Sequence, residues 1–157
     1  MDVIRRNTDY ALRAMLRLAR NYNNGTIPAR QLAQQEGIPY QLACKLLQRL
    51  HRAGLVRSVM GPRGGFELSR KPAQVTLGGI VNAIQGPVSL NRCLLGFDRC
   101  PHQRNCLIRR GLAGLQRQID QFLQGMTLAD LLANRAGGAK TGTTARGRKR
   151  NDRERKR

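Results

Sequence analysis

Apolar residues recur at helical spacing along most of the chain, and at strand-like spacing in one short stretch. Ala11, Leu12, Met15, Leu16 and Ala19 form the first stripe and follow Asn7-Thr8-Asp9, which predicts a helix capped by Thr8 or Asn7. Asn21 to Gly25 is turn chemistry. A short helix from Ala29 to Glu36 buries Leu32 and Ala33 and stops at Gly37. Pro39 sits where a helix tolerates proline, and the next helix runs from about Tyr40 to Ala53. Its inward face is Leu42, Ala43, Leu46, Leu47 and Leu50. Gln41, Cys44, Lys45, Gln48, Arg49 and Arg52 form the other face.

The period then changes. Leu55 to Met60 and Phe66 to Ser69 read as strands around Gly61-Pro62-Arg63-Gly64-Gly65, a hairpin with a basic tip. Thr76 caps a helix carrying Leu77, Ile80, Val81 and Ile84, closed by Gly86-Pro87. A loop from Asn91 to about Asn105 leads to a longer helix over roughly Cys106 to Gln124, stopped by Gly125. In that helix Ile108, Leu112, Leu115, Ile119 and Phe122 step by four, three, four and three, a heptad seam suited to dimerisation. Thr127-Leu128-Ala129-Asp130 opens a last short helix ending near Arg135. Beyond Gly137-Gly138 no apolar residue exceeds alanine in size, a composition expected to be disordered.

This order predicts a mainly α fold with a small β-hairpin wing: a winged helix-turn-helix followed by a long dimerisation helix. Three segments are expected: a DNA-binding domain over 1–86, a cysteine loop with the dimerisation helix over 87–135, and a basic tail over 136–157. A helix of that width enters the major groove of DNA, and a hairpin tip reaches the backbone or minor groove beside it. Tyr40, Gln41, Cys44 and Lys45 lie where base contact would occur, Arg49 and Arg52 nearer phosphates, and Arg63 on the tip.

Charge supports that reading. The 157 residues carry a formal +20, of which +7 lies in residues 136–157 and +13 in the rest, so the folded part is itself basic. The partner expected is double-stranded DNA. No run of apolar residues is long enough to span a membrane, and the N-terminus has no apolar stretch of a signal peptide. A cytoplasmic, nucleoid-associated bacterial protein is the expectation. The sequence has no Gly-x-Ser-x-Gly elbow, paired His-Glu zinc motif or complete phosphate loop, so an enzyme is not expected. A general nucleic-acid binder is the reading favoured by the tail alone.

Four cysteines without an export signal read as thiolates for a metal or cluster. Cys93, Cys100 and Cys106 have spacers of six and five residues, wider than the pairs of structural zinc sites. Thiolates suit an Fe–S cluster or zinc, and Arg92, Arg99 and Arg104 would offset cluster charge. Zinc with His102 as fourth ligand, and reduced or redox-active thiols without metal, are the other readings of this spacing. Cys44 stands apart on the presumed recognition helix.

Asn7-Thr8-Asp9-Tyr10-Ala11-Leu12-Arg13, then Leu50-His51-Arg52-Ala53-Gly54-Leu55-Val56, then Gly61-Pro62-Arg63-Gly64-Gly65-Phe66 and three cysteines before a long helix resemble one bacterial repressor family. It is the IscR/NsrR type, which includes the iron–sulfur assembly regulator, the nitric-oxide-sensitive repressor, the rhizobial iron regulator and the cysteine-metabolism repressor. The resemblance covers roughly residues 2 to 134. It implies a homodimeric winged-helix DNA binder, with Cys93, Cys100 and Cys106 holding a [2Fe–2S] or [4Fe–4S] cluster that senses nitric oxide, oxygen or iron status. The assembly-regulator branch adds a histidine three residues after the last cysteine, where this chain has Arg109. The nitric-oxide branch uses an aspartate on the first helix of the partner subunit, and Asp9 matches it. The first cysteine gap is six here and five in the two best-known branches. Cys44 stands where the assembly regulator has a DNA-reading glutamate, so sequence preference does not carry over.

Overall fold

The computed structural model describes residues 3–94 and 105–134. In chain order they form α1 (Arg6–Arg20), α2 (Ala29–Glu36), α3 (Tyr40–Arg52), β1 (Val56–Val59), β2 (Gly65–Leu68), a 3-10 turn (Pro72–Gln74), α4 (Leu77–Gln85), a second 3-10 turn (Arg92–Leu94), α5 (Leu107–Gly125) and α6 (Leu128–Asn134). The strands pair antiparallel, Val56 opposite Leu68 and Val59 opposite Gly65. This is the mainly helical fold with a hairpin wing that the periodicity predicts.

α1 is the central element and packs on α2, α3, α4, α6 and β2. It buries Ala11, Ala14, Met15, Leu18 and Ala19, with Leu12 and Leu16 half-buried beside them. α3 contributes Ala43, Leu46, Leu47 and Leu50, while Leu42 stays partly exposed. Leu47 and Leu50 are fully enclosed, and burial of such a side chain stabilises by about 1.5–3 kcal/mol. α2 is fixed from the side: Arg17 Nε lies 2.7 Å from Glu36 Oε1, and Arg13 reaches the Glu36 carboxylate and carbonyl.

The first helix does not start as predicted. It begins at Arg6, with Arg5 in the cap position and no side-chain cap. Thr8 lies inside the helix, fully buried, and its hydroxyl donates to Gln85 Oε1 at 2.7 Å. A threonine ahead of an apolar stripe resembles a cap, but this one is recruited by α4 across the core. Thr76 does cap α4, accepting from Gly79 N at 3.1 Å.

Two connections have no periodicity to announce them. Ile27 pairs with Phe66 through two backbone hydrogen bonds of 2.9 Å, adding a one-residue third rung to the wing. Thr76 and Thr127 form a second bridge, with Leu77 N bonded to Met126 O and Leu128 N to Val75 O. The second bridge returns the chain to the head after α5. Leu128 is fully buried in the same core as Met15 and Ile80. Although expected with the segment 87–135, α6 therefore packs on α1 and the Pro72–Gln74 turn. Gly125 is the last residue of α5, and Met126 is its C-cap.

Candidate nucleic-acid interface and cysteine site

α3 presents Tyr40, Gln41, Lys45, Gln48, Arg49 and Arg52 to solvent, because Ala43, Leu46, Leu47 and Leu50 commit the opposite face to the core. Cys44 is half-buried one turn after Tyr40. A hydrogen bond and charge repulsion from the Cys44 sulfur push the Tyr40 hydroxyl above its ordinary pKa; burial adds to this and Arg30 opposes it. Tyr40 therefore stays protonated at neutral pH and keeps its O–H. The guanidinium of Arg30, in the first turn of α2, stands 5.3 Å from the Tyr40 ring centroid. This cation–π contact ties α2 to α3 at one edge.

Arg49 is more tied down than a solvent-facing phosphate ligand: its Nη1 donates to the Ile84 carbonyl at 3.1 Å, at the end of α4. That bond satisfies a carbonyl left over by the helix terminus and places a cation at its negative end. Arg52 and Lys45 are exposed.

The wing is held rigidly. Thr26 Oγ1 donates to Arg63 O at 2.8 Å, and Gly64 N to Gly61 O at 2.9 Å. A Cβ on Gly64 would meet Val59 O at 2.4 Å, and one on Gly65 would meet the Ile27 backbone at 2.5 Å. Glycine is therefore required at both positions for the hairpin to close and dock. Arg57 pairs with Glu67 across the strands at 2.8 Å, and Arg63 is exposed at the tip.

Cys93 and Cys106 are free and half-buried, and both contact Arg109, Cys106 through its sulfur and Cys93 through its backbone carbonyl. Cys106 caps α5 and accepts from Arg109 N at 3.3 Å, while Arg109 Nε lies 3.4 Å from Cys93 O. Beside them is a cavity of about 320 Å³ lined by Leu94, Cys106, Arg109, Arg110, Ala113, Gln116 and Arg117. The Cys106 sulfur at a helix N-terminus, with guanidiniums lining the cavity beside it, sits in electropositive surroundings. Cys100 and His102, like Arg99, Arg104 and the tail, lie outside the described residues. Among the described residues no three potential ligands cluster. Asp9 is exposed on the first turn of α1.

On α5 the heptad seam is largely uncovered: Ile108, Leu115 and Phe122 are exposed, Leu112 and Ile119 half-buried, and the adjoining Leu107 is exposed too. Among the described residues no helix is long and apolar enough to cross a membrane.

Several residues that shape these surfaces escaped the sequence reading. Arg30 was visible as a cation in a first helical turn, but its partner Tyr40 is known only from the packing of α2 on α3. Thr26 and Gln116 carry no sequence signal. Gln116 accepts from Leu90 N and donates to Val88 O, both at 2.9 Å, pinning the segment that leads to Cys93.

Comparison with known proteins agrees with this architecture. The IscR transcriptional regulator of Yersinia pseudotuberculosis is 33% identical over 125 residues, covering 80% of this chain and 76% of that one. The structure of CymR, the global cysteine regulator of B. subtilis, superposes with a TM-score of 0.69 at 29% identity, covering 85% of this chain and 98% of that one. IscR of T. potens gives a TM-score of 0.69 at 25% identity, covering 87% and 92%. These relatives are transcriptional regulators, not enzymes. A family model described as Rrf2, iron-dependent transcriptional regulator, matches residues 4–134. With that match spanning both the helix-and-wing head and α5, the chain belongs to the Rrf2 family of winged-helix transcriptional regulators.

Proposed function

We propose that the protein is a homodimeric DNA-binding repressor whose operator affinity is set by an Fe–S cluster at the start of α5. The observation that carries the sensing part is the convergence of Cys93 and Cys106 on Arg109, beside a cavity ringed by three arginines. Two cysteines that both contact Arg109, in a cationic surround, would suit an anionic thiolate-bound cluster held by Cys93, Cys100 and Cys106, with the partner's Asp9 as the fourth ligand. When bound, such a cluster supplies a redox- and ligand-labile centre. The chain's own residues do the rest. Arg109 holds the Cys106 sulfur through its backbone N and the Cys93 carbonyl through its guanidinium, and Arg110 and Arg117 would offset thiolate charge. Gln116 fixes the approach of the loop to α5.

DNA reading is assigned to Tyr40, Gln41, Cys44 and Lys45 in the major groove, with Arg52 and Arg49 toward phosphates and Arg63 at the minor groove. The seam on α5 supports the dimer: Ile108, Leu115 and Phe122 leave apolar area uncovered on one helix face, and two heads on a two-fold axis read two half-sites. Residues 136–157 add sequence-independent phosphate attraction.

The test is anaerobic reconstitution with iron and sulfide, followed by visible and paramagnetic-resonance spectra and titration of a selected operator. The proposal expects a coloured dimer whose affinity changes at least tenfold on cluster loss, with Cys93→Ala abolishing colour. A colourless protein with one zinc per chain, or unchanged affinity, overturns the sensing part. Phe122→Lys is expected to yield monomers by sedimentation and to lose tight operator binding.

A second reading has its own support. One structural neighbour, at 25% identity and TM-score 0.63, is an oxidised form of CymR from Staphylococcus aureus, and this chain has Arg109 where the assembly-regulator branch has a histidine. In that reading the cysteines act as redox thiols, and an oxidant response persists in protein that never binds iron.

A further inference from the structure

Met60 is 92% exposed, more than any other large apolar side chain among the described residues. The other exposed apolar groups have a setting. Leu107, Ile108, Leu115 and Phe122 lie on α5, Tyr40 stacks under Arg30, Val3 precedes the first helix, and Val59 ends β1 in register with Gly65. Met60 has none, and it sits on a tip built to hold still. Gly64 N closes the turn on Gly61 O, Thr26 Oγ1 grips Arg63 O, and Gly64 and Gly65 are sterically obligatory. The wing thus projects an unbranched, adaptable apolar side chain three residues from an exposed arginine, on a strongly basic protein.

We propose that Met60 is an apolar wedge that enters the minor groove of the operator alongside Arg63 and partly unstacks one base step, bending the DNA. The inference rests on the DNA-reading function above. The minor groove is about 6 Å wide, which admits the edge of a hairpin, and its electrostatic potential attracts arginine. Minor-groove binders commonly insert such side chains between base pairs, and pyrimidine–purine steps yield most readily. The chemistry therefore names both partner and sequence feature: duplex DNA with a deformable step under the wing, read through its stiffness. Charge complementarity favours this occupant over a protein surface, since the exposed Arg63 stands on the same tip of a chain with a formal charge of +20.

The probe is a duplex selected from a random library by the wild-type protein, labelled with a dye pair at its ends and with 2-aminopurine at the step under the wing. The wild type is expected to raise end-to-end energy transfer and 2-aminopurine fluorescence. Met60→Ala, at a surface position that leaves the core intact, is expected to lose both signals and bind roughly tenfold more weakly, the scale of one unstacked step. Met60→Leu should retain them. Met60→Lys should keep non-specific binding but not bend the duplex. A mismatch placed at that step should bring Met60→Ala back to within about twofold of wild type. Bending and fluorescence unchanged in Met60→Ala, or wild-type binding with neither signal, overturns the wedge while leaving DNA reading intact. Failure of the wild type to select any duplex overturns both.

Discussion

Thr8 shows how one buried hydroxyl can organise two helices. Its Oγ1 and the backbone N of Arg5 both donate to Gln85 Oε1, and Gln85 Nε2 returns to Val3 O, so one amide side chain holds the whole entry of α1. Thr8→Val keeps the shape and deletes the donor. Because Arg5 still bonds the same oxygen, the acceptor is not orphaned, and the cost is about 1 kcal/mol. For a domain of this size that lowers Tm by about 2–4 °C, which a reversible thermal melt resolves. Thr8→Ala, which also leaves a small cavity, should melt lower still.

At the scale of elements, α6 is held by a reciprocal cap. Thr127 N and Oγ1 donate to Asp130 Oδ2 at 2.9 and 2.6 Å, and Asp130 N donates back to Thr127 Oγ1 at 3.2 Å. The side-chain and backbone bonds from Thr127 hold the Asp130 carboxyl below its ordinary pKa. A depressed carboxylate stabilises the fold above the unfolded value, about 4, and that contribution is lost as pH falls through the lower folded value. The difference in acid stability between wild type and Asp130→Asn is therefore expected to shrink as the pH falls below about 4. Circular dichroism along a pH titration measures it. A constant difference would show that the bonds to Thr127 do not select the ionised form. The elements differ in how readily the sequence shows them. α3 and the wing were legible because Leu46, Leu47 and Leu50 recur at helical spacing and the Gly-Pro-Arg-Gly-Gly turn is unambiguous. The return of α6 was not, because Leu128 reaches the core through a single bridge between Thr76 and Thr127. No local period encodes a contact spanning fifty residues. The same limit applies at the cysteine site: spacing grouped Cys93 with Cys106, but Arg109 joining them is a tertiary fact.

Across the molecule, α3 and the segment leading to Cys93 both connect to the end of α4. Arg49 of α3 holds the Ile84 carbonyl, Gln85 holds α1, and the chain then runs through Val88 and Leu90, which Gln116 of α5 grips by both ends of its amide. Gln116 also donates to Asp120, and Arg109 two turns earlier holds the cysteines. A shift of α5 against Val88 and Leu90 would therefore pull on the segment that leads back to the carbonyl under Arg49. Spatial continuity alone does not establish coupling; a double-mutant cycle does. Gln116→Ala should leave the loaded protein coloured and dimeric while shrinking the affinity difference between loaded and stripped forms. A loss of 1–2 kcal/mol of coupling, about five- to thirtyfold in that ratio, is the expected scale. Arg49→Gln should shrink it by a similar factor, and the pair together by no more than either alone. Additive losses would mean that the two side chains act separately, and an unchanged ratio in Gln116→Ala would place the connection outside the Val88–Leu90 segment.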